Sequence, residues 1–207
     1  MAEYRPFPRT TVAWAEANIP MTEPQSMIDL LRARTATHHQ GLESGLRIEE
    51  RLSGVDTRGP LIDGYNTLYS ECEAVLWPHL WAMSDLTFFS RFRSRKILSK
   101  AELAGSGNPS ADLVFPAVGT KAGALGAMYV LEGSTLGGKV ILKTLRSKGV
   151  STSDLHFLDP YGKDAGALWR VFLSVLERET APDRTAMNEC VLGATNAFAF
   201  AAACLAE

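Results

Sequence analysis

The chain has 207 residues, 46% of them hydrophobic and 21% charged, which suits one soluble domain with a real core. A net charge of −2 argues against general nucleic-acid binding, where a large basic excess supplies the affinity. Three cysteines (Cys72, Cys190, Cys204) without metal-like spacing fit a reducing compartment, and no uncharged apolar run of about 18 residues suggests a membrane span. With no signal-peptide core at the N-terminus, a cytoplasmic protein without a membrane partner is expected.

Residues 1–21 hold Pro6, Pro8 and Pro20 and no sustained period, and read as an extended or partly disordered arm before a helical domain over 22–207. Thr22-Glu-Pro-Gln25 has the form of a capping box and opens a helix that runs to about Leu52. Arg58-Gly-Pro60 reads as a break, followed by a helix over 61–76 that Pro78 ends or kinks. A further helical segment spans about 85–103 and stops at a glycine-, serine- and proline-containing loop over 104–109. Helices are expected over about 120–148, over about 163–179, and from beyond Ala181-Pro-Asp183 to Leu205. Alternating β-branched runs are missing, so the expected fold is all-α, a single-domain bundle.

Within the fourth helical run lie Gly133, Gly137 and Gly138. Each costs about 0.8–1 kcal/mol relative to alanine, roughly 2.5–3 kcal/mol together. Gly133 and Gly137 are four apart, as are Ser134 and Gly138, so they make one nearly side-chain-free patch on the helix. Such a patch admits a close-packed neighbour, a bend, or a flat ligand laid against bare backbone.

Four histidines are present: His38, His39, His79 and His156. The apolar stripe of the first helix runs through Ile28, Leu31, Thr35, Leu42 and Leu46. His38 and His39 fall on its opposite shoulders, each about 50° from the centre, and periodicity does not choose between them. Arg32 precedes His39 by two turns and projects on the same side, about 10.5 Å away along the axis. It is equally readable as a solvated arginine. His79 beside Trp77-Pro78 and His156 in a loop read as structural or exposed. Arg91-Phe-Arg-Ser-Arg-Lys96 is a dense basic run, read as a solvated face or a dock for an acidic electron donor.

Two stretches carry a specific resemblance. Tyr129-Val-Leu-Glu-Gly-Ser-Thr-Leu-Gly-Gly138 resembles the distal helix of bacterial haem oxygenases, particularly the branch that makes biliverdin for bacteriophytochromes. Leu31-Arg-x-x-Thr35-x-x-x-His39-x-x-Leu42-Glu43 resembles the family segment whose histidine ligates haem iron from the proximal side. Tyr161-Gly162 followed by Leu168-Trp-Arg170-x-Phe172 also resembles the family, Gly64-Tyr65 through Glu73 and Leu98–Leu103 match more loosely, and the whole extends from about Met27 to Leu205. The resemblance implies haem, as substrate and cofactor, sandwiched between the His39 helix and the glycine-rich helix. It implies His39 as iron ligand, Arg32 and Arg170 against propionates, and Gly133, Ser134, Gly137 and Gly138 as the catalytic distal wall. Ser134 stands where mammalian relatives have an aspartate that anchors waters. The implied reaction takes haem, O2 and electrons from an external donor (a ferredoxin, flavodoxin or reductase) to biliverdin, CO and ferrous iron. A bacteriophytochrome is an implied partner, with chromophore supply or iron recovery as the purpose.

Other chemistries lack their residues. There is no Glu-x-x-His pair for a di-iron bundle, no Cys-x-x-Cys-His, no Gly-x-Gly-x-x-Gly and no Gly-x-Ser-x-Gly. A non-enzymatic haem carrier or sensor on the same fold would share every residue named above, and a scaffold-like relative that binds no haem is the remaining alternative.

Overall fold

A serine opens the first helix. Ser26 accepts a hydrogen bond from the Asp29 amide at 3.1 Å and donates its own proton to the Asp29 carboxylate at 2.9 Å, which satisfies one of the orphan amides of a helix start. The computed structural model describes residues 26–94 and 112–206. The arm over 1–21, the expected cap at Thr22–Gln25, the end of the segment over 85–103 and the loop over 104–109 lie outside those residues.

Among the described residues six α-helices follow in order: α1 Met27–Gly45, α2 Ile48–Ser53, α3 Val55–Leu80, α4 Lys121–Ser147, α5 Ala165–Thr180 and α6 Arg184–Leu205. Short 3-10 turns stand at Ser84–Leu86, Phe88–Arg91, His156–Leu158 and Gly162–Asp164. Among the described residues there is no strand, so the all-α expectation is met.

Three boundaries differ from the sequence reading. The first helix ends at Gly45 rather than near Leu52, because Arg47 adopts a left-handed φ of 42° and redirects the chain into α2. That turn lets Arg51 reach the end of α6, where it donates to the carbonyls of Leu205 and Ala206 that the helix itself leaves unpaired. The expected break at Arg58-Gly-Pro60 lies inside α3. Arg58 holds this turn in place: Nε donates to Asp154 at 2.9 Å, and the Ser151 and Leu52 carbonyls accept at 2.7 and 3.0 Å. Residues 84–91 form 3-10 turns instead of continuous helix. Thr87 has a φ of 44°, and Phe88 and Phe92 are drawn onto Trp77 at ring separations of 6.3 and 5.6 Å.

The core is centred on α4, α6 and α3. Contact between α4 and α6 is backbone to backbone: a Cβ on Gly126 would stand 1.8 Å from the Cys190 carbonyl oxygen, and one on Gly193 would stand 2.0 Å from that of Gly123. No residue larger than glycine fits either place, so these positions bring the two core helices α4 and α6 together. Among the described residues, α6 and not the glycine-rich α4 is the helix long and apolar enough to cross a membrane. Half of the relevant window is buried inside the bundle, where Cys190, Ala194, Ala197 and Ala201 join the core. α1 lies across α6 and α5, and its outer end faces α4 over an open slot.

Candidate functional site

The slot between α1 and α4 is a cavity of about 610 Å³, within the ordinary range for small-molecule sites. From α1 it takes Arg32, His39, Leu42 and Glu43; from α4 it takes Tyr129, Gly133, Ser134, Leu136, Gly137 and Val140; α5 adds Trp169 and α6 adds Phe198. A smaller cavity of about 350 Å³ adjoins it, sharing Arg32, His39, Tyr129 and Phe198 and adding Thr35, Ala36 and Gln40. Leu136 and Val140 are large apolar side chains left 41% and 62% exposed, and both stand on this wall. Exposed apolar surface concentrated in a groove marks a binding site.

The two neighbouring histidines separate here. His39 lines both cavities, whereas His38 lines neither and lies beside Phe198, ring centroids 6.2 Å apart. Nδ1 of His39 stands 3.4 Å from the Glu43 carboxylate, one turn on. A carboxylate on that side favours the tautomer with the proton on Nδ1 and leaves the Nε2 lone pair for a metal. The Phe198 ring lies 6.1 Å from the imidazole at an interplanar angle of 75°.

Opposite His39, the glycine patch divides in two. A Cβ on Gly137 would meet nothing within 4 Å, and one on Gly133 would meet only Trp169 Cη2, at 3.6 Å. These two present bare backbone to the cavity. Gly138 does not belong with them as a bare wall: a Cβ there would stand 2.1 Å from the Leu158 carbonyl oxygen. The 3-10 turn His156–Leu158 packs directly on the helix at that point, so Gly138 is a close-packing glycine at the cavity's edge.

Ser134 is tied into a buried network that the sequence did not reveal. Its hydroxyl donates to the Leu131 carbonyl at 2.7 Å and accepts from Arg93 Nη1 at 2.9 Å. The same Arg93 nitrogen donates to the Tyr69 hydroxyl at 2.8 Å. Arginine has donors only, so it occupies an acceptor lone pair on each oxygen and leaves the phenolic proton free to point elsewhere. Tyr69 and Ser134 both reach the cavity wall, while Arg93 is only 2% exposed. Burial works against the charged form of Arg93, but Tyr69, Glu132 and Tyr161 around it outweigh that, and its pKa is raised.

The expected solvated basic face is therefore overturned for Arg91 and Arg93, both of which are buried; Arg95 and Lys96 lie outside the described residues. Two buried carboxylates account for this. Glu132 accepts from Arg91 at 2.5 Å and from the Tyr161 hydroxyl at 2.7 Å. Glu73 accepts from the Arg93 amide at 2.5 Å and from the Ser94 amide and hydroxyl. Burial pushes the Glu73 carboxyl up, opposed by those same amides. A glutamate inside the apolar α4 run was the available signal, since buried carboxylates are almost always paired.

The two candidate arginines also part company. Arg32 lies at the rim of both cavities beside Tyr129, with 64% of its side chain exposed and Asp29 3.6 Å away. Burial raises the pKa of Tyr129, and the Arg32 charge opposes the rise. Arg170 is exposed on α5 and lines neither cavity. Its neighbour Trp169 faces inward instead, about 100° around the helix. His79 and His156 line neither cavity either.

One imidazole on one wall, bare backbone on the other, an apolar interior and a cationic rim together suit a flat, carboxylate-bearing metal macrocycle. Comparison with known proteins agrees. No family model matches the chain. A heme oxygenase of Xanthomonas campestris pv. campestris (strain 8004) is 32% identical over 117 residues, which cover 56% of this chain and 70% of that protein. The crystal structure of NO- and CO-bound heme oxygenase from Neisseria meningitidis superposes with a TM-score of 0.69 at 18% identity, covering 87% of this chain and 90% of that one. The former establishes the relationship and the latter the fold: the chain belongs to the haem oxygenase family.

Proposed function

We propose that this haem oxygenase family member binds haem in the α1–α4 slot with His39 on the iron, and degrades it to biliverdin, CO and ferrous iron. The observation that carries this reading is the opposition of His39 and the open backbone of Gly133 and Gly137 across one cavity. Haem supplies the oxygen-activating redox chemistry and is itself the substrate, with O2 and an external electron donor as co-reactants. The chain's own part is to hold, orient and enclose. Gly137 leaves room for a small ligand on the distal side, which a longer side chain would fill. Ser134 and Tyr69 are fixed by the buried Arg93, which occupies an acceptor site on each hydroxyl, an arrangement suited to ordering waters at that wall. Arg32 meets a propionate at the rim. Supply of a bilin chromophore to a bacteriophytochrome is the purpose suggested by the likeness of the glycine-rich segment.

Turnover separates enzyme from carrier. Purified protein loaded with haemin and given ascorbate or a reductase in air should lose its Soret band while bilin absorption grows and CO is released. A Soret band that persists through reduction and aeration would make the protein a carrier. In the same assay, Arg32→Ala is expected to weaken haemin binding, by up to about 1.5–3 kcal/mol for a desolvated charge-assisted contact and less at a wet rim. Ser134→Ala is expected to bind haemin normally and turn it over more slowly. Unchanged affinity in the first and unchanged rate in the second would remove these residues from the site.

A further inference from the structure

We propose that Trp169 is a specificity-determining residue of the site: a fixed lateral stop that sets the in-plane orientation of the bound macrocycle. The proposal rests on the haem reading above. A flat ring held by one axial imidazole is free to turn about the axis through its metal until its edge meets a side chain held in place. Gly133 and Gly137 offer bare backbone, and Arg32 is a flexible, largely exposed side chain. Trp169 differs from these. Its ring lines the cavity and fills the space beside Gly133, with Cη2 3.6 Å from where a Cβ on that glycine would stand. It is stacked on the fully buried Phe172 at 5.6 Å and tilted against Tyr129 at 5.5 Å. An indole has only two side-chain torsions, and here two aromatic neighbours pack against it.

Its position is also fixed from behind. The buried Arg91 donates through Nη1 to Glu132 at 2.5 Å and through Nη2 to the Leu168 carbonyl at 3.4 Å. Glu132 immediately precedes Gly133, and Leu168 immediately precedes Trp169. One guanidinium therefore spans the two helices at the level of the indole, and Tyr161 braces the same carboxylate at 2.7 Å. The indole is held at a set distance from the distal helix by a buried charged pair. A peripheral substituent turning toward it meets a wall that does not yield.

The test is the ¹H NMR spectrum of the ferric haemin complex, whose ring-methyl resonances report each in-plane orientation separately, with thermal melts on the same samples. Wild type, Trp169→Phe and Trp169→Ala are compared. The ratio of orientations is expected to shift at least tenfold in Trp169→Ala and in the same direction, by less, in Trp169→Phe, with the bilin isomers following the ratio. If Trp169→Ala does not fold, the graded change in Trp169→Phe decides. Identical ratios in the folded variants, at whatever haemin affinity, would make Trp169 a packing residue only and leave the haem reading standing. A wild-type protein that takes up no haemin would overturn both.

Discussion

His39→Ala is expected to abolish the low-spin ferric haem spectrum, with added imidazole restoring it, while His38→Ala leaves the spectrum intact. The two side chains are adjacent and both approach Phe198, at 6.2 and 6.1 Å, so proximity alone does not choose between them. The cavity does: His39 lines it and His38 does not. Glu43 adds the second argument, because a carboxylate 3.4 Å from Nδ1 leaves Nε2 as the free ligand. Neither histidine is in the buried core, so neither substitution should disturb the fold by more than about 0.5 kcal/mol. Loss of the spectrum in His38→Ala with retention in His39→Ala would reverse the assignment.

The second large effect comes from two adjacent glycines with opposite outcomes. Gly137→Ala adds a methyl in open space, so helix propensity should make it neutral or more stable by up to about 1 kcal/mol. Its biliverdin yield should nevertheless fall steeply, because the methyl enters the volume over the distal face. Gly138→Ala adds a methyl 2.1 Å from the Leu158 carbonyl oxygen, where backbone must move. Overpacking of that kind costs about 1–3 kcal/mol, equivalent to a Tm lower by roughly 2–12 °C for a chain of this size. Melts and single-turnover spectra on both variants check the contrast. Full biliverdin yield from Gly137→Ala would remove Gly137 from the distal wall.

Much of the bundle was legible in the sequence, for identifiable reasons. Thr120 and Asp183 cap helices where the sequence placed starts, each accepting from an amide two or three residues on. The slips fell where tertiary contacts override local signals: Pro60 stays inside α3 because Arg58 is anchored to Asp154 and to two carbonyls, and α1 stops early because Arg47 turns left-handed. Of the candidate site, the motif likeness points to His39 and the glycines of α4, and the cavity brings His39, Gly133 and Gly137 together. Arg170 was named on the same grounds and the fold turns it outward, with Trp169 in its place. Arg93 and Tyr69 were not legible as partners, since they reach Ser134 from residues 41 and 65 positions away. Such a network has no spacing for a sequence to display. Its one trace was Glu132 in an apolar helix, a charge that required a buried cation.

A crystal structure of the haemin-loaded protein, with the iron located by its anomalous scattering, tests the central claim most directly. The account predicts a single protein ligand to iron, His39 Nε2, and a ring plane lying beneath the backbone of Gly133 and Gly137. Iron bound by His38, or a macrocycle seated outside the α1–α4 slot, would contradict it.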